Sequence, residues 1–151
     1  MDKVTLFQAL TLALAAVGAV LGVINTLHGL DKSRVKLKVT PQHAIPVGGA
    51  DSRIEFCIEV INLSAFAVTV RDVGVLYHGT DALGSIASPP FLIDGGPWPR
   101  RLEPRSAVTL YSPRPQSWNG ERVKCAYAQT ECGHMKTGNS PALRQLMRAG
   151  R

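Results

Sequence analysis

Hydrophobic positions change their spacing after about residue 30 of this chain. Residues 4–24 contain no charged side chain and are dominated by Leu, Ala, Val, Gly and Ile. A helix rises about 1.5 Å per residue, so this stretch would be roughly 30 Å long, the hydrocarbon thickness of a bilayer. A soluble helix would carry a polar stripe, and Thr5, Gln8 and Thr11 do not continue as one. The pattern predicts one transmembrane helix within residues 1–30.

From residue 34 onward hydrophobic and polar positions alternate, as in half-buried strands. Inward positions include Val35, Leu37 and Val39, and Cys57 falls among the outward ones. The alternation shifts phase at 72–74, which indicates a bulge. Strands are predicted at 34–40, 53–62, 66–77, 90–93, 107–111, 122–130 and 134–137. Short strands separated by Gly and Pro turns predict a mainly β fold, a small antiparallel immunoglobulin-like β-sandwich.

The last residues have the pattern of a short helix. Ser140 and Pro141 are typical of an N-cap and a first helical position, and they precede a predicted helix over 142–148. Its apolar side carries Leu143, Leu146 and Met147. The predicted organisation is a transmembrane anchor at 1–30, a basic juxtamembrane linker at 31–40 running into the first strand, a β-sandwich at 41–139, and a short basic helix and tail at 140–151.

Charge sets the expected orientation. The net charge is +6, and before the span only Lys3 and the α-amino group are basic. Basic residues near a span favour the cytoplasmic side, which predicts an N-terminus outside and a cytoplasmic β domain at a bacterial inner membrane. The same residues suit anionic lipid, an equally weighted alternative to a topology signal alone. They are Lys32, Arg34, Lys36 and Lys38.

Two further features bear on the compartment. A cleaved signal peptide is the alternative to an anchor, but the apolar stretch is longer than its hydrophobic region and no good cleavage site follows Asn25. The cysteines, Cys57, Cys125 and Cys132, are odd in number and lack the paired spacing of a disulfide framework. Both observations favour a retained anchor and a cytoplasmic domain.

The predicted span contains a small-residue motif. Gly18 and Gly22 form a GxxxG, and Ala15 extends the row by one turn. Small residues at this spacing let two helices approach closely in lipid, which favours a homo-oligomer. The alternative is that these are ordinary membrane-helix residues. The expected partners are therefore the lipid bilayer and a second copy of the chain.

Catalytic and metal chemistry find little support in the sequence. Cys132 and His134 are close in sequence, but a zinc site needs about four ligands. The other candidates are scattered singly at Cys57, Cys125, His43 and His78. Residues 94–96 read as a turn, because no Gly-Lys-Ser/Thr follows them, and no nucleophile has an obvious histidine partner. We therefore expect no enzyme activity, no metal and no cofactor.

Two surface groups remain as candidate contacts. Trp98, Arg100, Arg101 and Trp118 are an aromatic and cationic set typical of protein-contact patches, although the tryptophans could instead cap the core. A second basic cluster is formed by Lys136, Arg144, Arg148 and Arg151, since no acidic residue follows Glu131. Nucleic acid is an unlikely partner, because no recognition helix or aromatic platform accompanies these charges.

Three short segments of the chain carry a resemblance to known proteins. They are 60–62 leading to 68–74, 102–104 before Val108-Thr109, and 127–133 followed by Lys136. They resemble segments of a group of small uncharacterised bacterial and prophage proteins, which have one N-terminal transmembrane helix and an immunoglobulin-like β-sandwich. The resemblance implies that fold and topology, and no activity. In that group the turn after Leu-Glu-Pro often holds a Gly, where this chain has Arg105.

These observations lead to an expected function. The first hypothesis is a non-enzymatic interaction or adaptor protein that presents a β-sandwich at the cytoplasmic membrane face to an unidentified protein, with a phage or prophage accessory role suggested by the resemblance. The alternative is an oligomerising effector that perturbs membranes or forms a channel through the span. An enzyme or metal protein is the third.

Overall fold

The structure is a computed structural model that describes residues 3–45, 54–79, 83–85, 91–117 and 120–148. It contains two compact units, Met1–Arg34 and Val35–Arg151. The first unit contains helix α1, Lys3–Ser33. The hydroxyls of Thr11 and Thr26 donate to carbonyls four residues earlier in α1, so the helix satisfies them internally. The helix continues through residues 31–33, which the sequence analysis assigned to a linker.

The second unit is a β-sandwich of eight strands among the described residues. One sheet has the order β1-β2-β6, and the other has the order β4-β3-β7-β8, with β5 beside β3. All named strand pairs are antiparallel. The strands are β1 Leu37–His43, β2 Ile54–Asn62, β3 Val68–Tyr77, β4 Leu83–Ser85, β5 Arg100–Leu102, β6 Ala107–Pro113, β7 Val123–Thr130 and β8 Met135–Gly138; helix α2 is Pro141–Arg148.

This strand order is the Greek key of an immunoglobulin-like domain. Strands β1, β2 and β6 take the places of A, B and E, while β8, β7, β3 and β4 take those of G, F, C and C′. Phe91 adds an isolated antiparallel bridge to Tyr111 on β6, at the place of strand D. The predicted fold class is therefore confirmed: an N-terminal apolar helix, two antiparallel sheets and a short C-terminal helix.

Alternating apolar residues from both sheets form the core. Phe56, Ile58 and Val60 on β2 are fully buried, and so are Val70 on β3 and Leu110 on β6. In β3 the buried positions shift phase between residues 70 and 73, because one residue is inserted opposite β7. A bulge is thus present, but it lies at 70–72, two positions before the predicted step at 72–74. It lets β3 keep valines on the core side along its whole length.

The first strand departs from its predicted bounds. It begins at Leu37 and continues through Pro41 to His43, beyond the predicted end at residue 40. Proline has no N–H to donate to a neighbouring strand, and β1 pairs only with β2 in its sheet, so Pro41 lies at an edge where this loss is tolerated. Leu37 and Val39 are buried as predicted.

Three other predictions need correction. Cys57 was expected to face outward into solvent, but it is buried, because Tyr111 lies directly opposite it on β6. Around residues 90–93 the described part forms only the bridge at Phe91. Strands β4 and β5 were not predicted, since each has three residues and no clear alternation.

Because paired strands run in opposite directions, the strand termini and the turns that join them lie at two opposite ends of the sandwich. We call the end that contains Val35 and the β2–β3 turn the near end, and the end that contains His43 and the start of β7 the far end. Along one side the edges of the two sheets meet: a side chain at Gly138 on β8 would overlap the carbonyl of Val39 on β1. Glycine is thus required there for the two edges to approach.

Candidate functional site: a basic cleft at the far end

Helix α2 forms one wall of a cleft at the far end of the sandwich. The hydroxyl of Ser140 accepts a hydrogen bond from the backbone N–H of Leu143 at 3.1 Å, which confirms the predicted N-cap. Leu143 and Leu146 are buried, and α2 contacts β1. The Arg114 side chain donates to the carbonyl of Leu146, so the loop after β6 is tied to the last turn of the helix.

The cleft consists of two adjoining cavities, and Arg122 and Met147 line both of them. One has a volume of about 490 Å³ and lies between the loop after β6 and α2. The other has a volume of about 360 Å³ and lies between the start of β7 and α2. The described residues that line them are Arg114, Pro115, Gln116, Ser117, Gly120, Arg122 and Met147 for the first, and His78, Arg122, Val123, Lys124, Asn139, Leu143, Arg144, Met147 and Arg148 for the second.

The lining is strongly basic. Five of the described lining residues are Arg or Lys, and none is Asp or Glu. Within the described part of the chain none of the five forms an ion pair. The nearby carboxylate of Glu121 lies against Gly79, where an added Cβ would be 3.2 Å from Oε1. A concave surface lined by one sign of charge concentrates ligands of the opposite sign. The five are Arg114, Arg122, Lys124, Arg144 and Arg148.

Apolar side chains form the floor of the cleft. Met147 is half-buried and packs against the core cluster, and Leu143 is buried beneath it. Met is flexible and polarizable, so it adapts to apolar groups of different shape. The cleft therefore offers both cationic groups and a small apolar surface to a ligand.

Only part of the predicted basic cluster lines this cleft. Arg144 and Arg148 lie on α2 and line it, whereas Lys136 lies exposed on β8. Arg151 lies outside the described residues. Three further cations of the cleft were not predicted from the sequence: Arg114, Arg122 and Lys124. Arg114 belongs to a Pro-rich loop, whereas Arg122 and Lys124 lie at the start of β7. The signal that could have identified them was the presence of basic residues on both sides of that loop.

The predicted juxtamembrane cations are divided between the two units. Lys32 is in the last turn of α1, and Arg34 also belongs to that unit. Lys36 is half-buried, and its backbone N–H donates to the Ser64 hydroxyl at 2.8 Å. Lys38 is exposed on β1.

In the predicted protein-contact patch, the described side chains form hydrogen bonds and ion pairs with other residues of the same chain. Trp98 packs against the core and donates from its indole N–H to the Arg71 carbonyl at 2.9 Å. Arg100 pairs with Asp94 at 2.5 Å, and Arg101 pairs with Glu103 at 3.1 Å. Trp118 lies outside the described residues. The charges of Arg100 and Arg101 are therefore each offset by a carboxylate.

On α1, the predicted association residues belong to a longer face. Gly18 and Gly22 have open space at the Cβ position. At about 100° per residue, small and polar residues along most of the helix fall within an arc of roughly 100°. The face is formed by small residues as much as by polar ones, so it is not the polar stripe of a soluble helix. The face consists of Gln8, Thr11, Ala15, Gly18, Gly22, Asn25 and Gly29.

Cys132 lies exposed in the β7–β8 turn. The Thr130 hydroxyl lies 3.1 Å from its sulfur, and this hydrogen bond, with backbone N–H groups of the turn, lowers the pKa of the thiol. The described residues contain no group of three His, Cys, Asp or Glu side chains that could hold a metal ion. Cys132 and His134 are thus close without forming a metal centre among those residues.

No protein-family model matches the chain, and no curated protein matches it either. The fold has the architecture that the resemblance implied. Neither comparison links the chain to phage or prophage proteins.

Proposed function

We propose that this chain is a membrane-anchored binding protein that acts by recognition rather than by catalysis. In this proposal α1 spans the bacterial inner membrane once, and the sandwich lies in the cytoplasm. The basic cleft at the far end binds an acidic segment of a partner protein. The observation that carries the proposal is the cleft itself, with five cations and an apolar floor.

The anchor rests on the length and composition of α1. Residues Phe7–Ser33 are long and apolar enough to cross a membrane, and none of this stretch is buried within the protein. Large apolar side chains on α1 are exposed by 44–74 %. Such a surface is costly in water and favourable in lipid. The basic residues that follow the helix favour a cytoplasmic sandwich.

An acidic peptide suits the cleft better than a nucleic acid does. Arg122 and Arg144 offer guanidinium groups that can bind carboxylates with two hydrogen bonds each. Met147 offers an apolar contact, as expected for a peptide that mixes acidic and apolar residues. The described lining residues include no Phe, Tyr or Trp on which a base could stack.

A binding measurement with matched variants tests the cleft. The probe is a short fluorescent peptide of alternating Glu and Leu, titrated with the full chain in lipid nanodiscs and followed by fluorescence anisotropy. We expect Arg122→Ala and Arg144→Ala each to weaken binding by roughly tenfold, the effect of losing one charge-assisted contact. Lys136→Ala removes an exposed charge outside the cleft and should leave the affinity unchanged. Equal losses in all three variants, or no binding by the parent chain, would contradict the proposal.

A second candidate function follows from α1. Its small and polar face suits close association of several copies, and Gln8 and Asn25 could form hydrogen bonds between helices. In this alternative the chain is an oligomerising effector that perturbs the membrane or forms a channel. Replacing Gly18 and Gly22 by Leu should then abolish both oligomers in detergent and dye leakage from vesicles, whereas Val20→Ala, on the opposite side of the helix, should not.

A further inference from the structure

The near end of the sandwich carries an exposed apolar turn between β2 and β3. Its sequence, Leu63-Ser64-Ala65-Phe66-Ala67, contains no charged residue. Leu63 is 49 % exposed and Phe66 is 37 % exposed. Single exposed apolar residues are ordinary, but two large ones with an exposed Ala in one short turn form a patch that calls for a partner.

The turn is held in place by a buried amide. Asn62 is completely buried, and its side-chain nitrogen donates to the carbonyls of Phe66 at 2.8 Å and Leu102 at 3.0 Å. Its side-chain oxygen accepts from the backbone N–H of Ser64 at 2.9 Å. Because the backbone of the turn is already fixed in this way, covering its apolar side chains costs little further backbone entropy.

The turn is hydrogen-bonded to Lys36, which is close in sequence to the end of α1. The N–H of Leu63 donates to the carbonyl of Lys36 at 2.8 Å, and the Ser64 hydroxyl also bonds to Lys36. Lys36 follows the last residue of α1, Ser33, by three positions. Three residues of extended chain span at most about 11 Å. If α1 spans a bilayer, the turn must therefore remain within a short distance of where the chain leaves it.

A cation beside the turn adopts an unfavourable backbone conformation. Arg105 has φ 60°, in the left-handed region where glycine is favoured, and it is the only non-glycine residue with positive φ in the described part of the chain. Its N–H donates to the carbonyl of Asn62 at 2.8 Å, so its exposed side chain lies next to the apolar turn.

We propose that the near end docks on the membrane in which α1 is anchored. Leu63 and Phe66 insert into the interfacial layer, while Arg105 meets the phosphates of anionic headgroups. Apolar side chains flanked by cations are the composition that binds such a surface. This inference rests on the proposed anchor, and it would leave the basic cleft at the far end open to a soluble partner.

Depth-dependent fluorescence quenching tests the docking. The full chain is reconstituted in vesicles of phosphatidylcholine and phosphatidylglycerol, with and without bromine on the acyl chains. We expect brominated lipid to quench Phe66→Trp by an additional amount above the parent chain. Phe91→Trp, an exposed Phe beside β6 that does not belong to the near-end turn, should show no additional quenching.

Charge and anchoring are tested in the same vesicles. Arg105→Gly in the Phe66→Trp background should reduce the additional quenching in anionic vesicles and leave it unchanged in pure phosphatidylcholine. Alkaline extraction separates the two proposals: a chain that is extracted from the vesicles overturns the anchor. A chain that resists extraction but shows no additional quenching at Phe66→Trp, or equal quenching at Phe91→Trp, overturns the docking alone.

Discussion

The phenol of Tyr127 donates a hydrogen bond to the carboxylate of Asp72 at 2.6 Å. Tyr127 lies in the middle of β7 directly opposite Gly74, where an added Cβ would come within 2.9 Å of the ring. Asp72 lies beside the residue inserted at the β3 bulge. The bulge and the glycine thus place a fully buried aromatic ring on the sheet, with a charged acceptor for its hydroxyl.

This pair predicts a specific pH dependence. Burial raises the pKa of the Tyr127 phenol, and the hydrogen bond and negative charge of Asp72 raise it further. The unfolded phenol ionises near pH 10. The stabilisation is therefore complete below about pH 10 and is lost as the pH rises above it, because only the unfolded state then releases the proton. Urea denaturation of the parent chain across this pH range should show that the free energy of unfolding declines above about pH 10.

Tyr127→Phe should lower the free energy of unfolding by about 1.5–3 kcal/mol at neutral pH, the usual effect of losing a hydrogen bond to a charged group. It should also flatten the decline above pH 10. Tyr111→Phe is the matched control, because it removes a phenol hydroxyl from the other sheet. A decline that is equally steep in Tyr127→Phe would contradict this account of the pair.

Asn62 should be among the most sensitive polar positions in the sandwich. Asn62→Ala removes the donor to the Phe66 and Leu102 carbonyls and leaves buried acceptors without it. We expect a loss of about 3 kcal/mol in the free energy of unfolding, since several hydrogen bonds disappear together. Ser64→Ala, which removes the hydroxyl bonded to Lys36, should cost about 1 kcal/mol. Equal losses of unfolding free energy for the two variants in chemical denaturation would contradict the conclusion that the Asn62 side chain joins the β2–β3 turn to the end of β5.

Arg105→Gly should stabilise the sandwich, whereas Arg105→Ala should not. Arg105→Gly relieves the strain of the left-handed conformation at φ 60°. The gain is partly offset by the greater backbone entropy of glycine in the unfolded chain, so we expect an increase of at most about 1 kcal/mol. Arg105→Ala keeps the strain and should bring no gain. Thermal denaturation of the two variants measures this difference, and a lower melting temperature for Arg105→Gly would contradict it.

The sequence pattern predicted the elements that depend on local spacing. Alternation in β2 and β3 and the N-cap at Ser140 are local features, and each is present. The left-handed conformation of Arg105 is also where the resemblance led us to expect a glycine. The burial of Cys57 could not be read from alternation, because it depends on Tyr111 in another strand.

The basic cleft shows the same limit more clearly. Arg114 and Arg148 are 34 positions apart in the chain, and they line adjoining openings only because α2 folds back against β1. The excess of basic residues near the C-terminus identified the two arginines on α2. It did not identify Arg114, Arg122 and Lys124. Conversely, Arg100 and Arg101 looked like a free cationic pair in sequence, and their ion-pair partners became visible only in the folded turn.

The central claim is that one span holds the sandwich on the cytoplasmic side of the membrane. Cys132 reports this directly, because it is exposed whereas Cys57 is buried. A membrane-impermeant maleimide should leave Cys132 unlabelled in intact bacterial cells and label it after permeabilisation, with Cys132→Ser as the control and the chain recovered in the membrane fraction. Labelling in intact cells would reverse the orientation, and recovery in the soluble fraction would contradict the anchor.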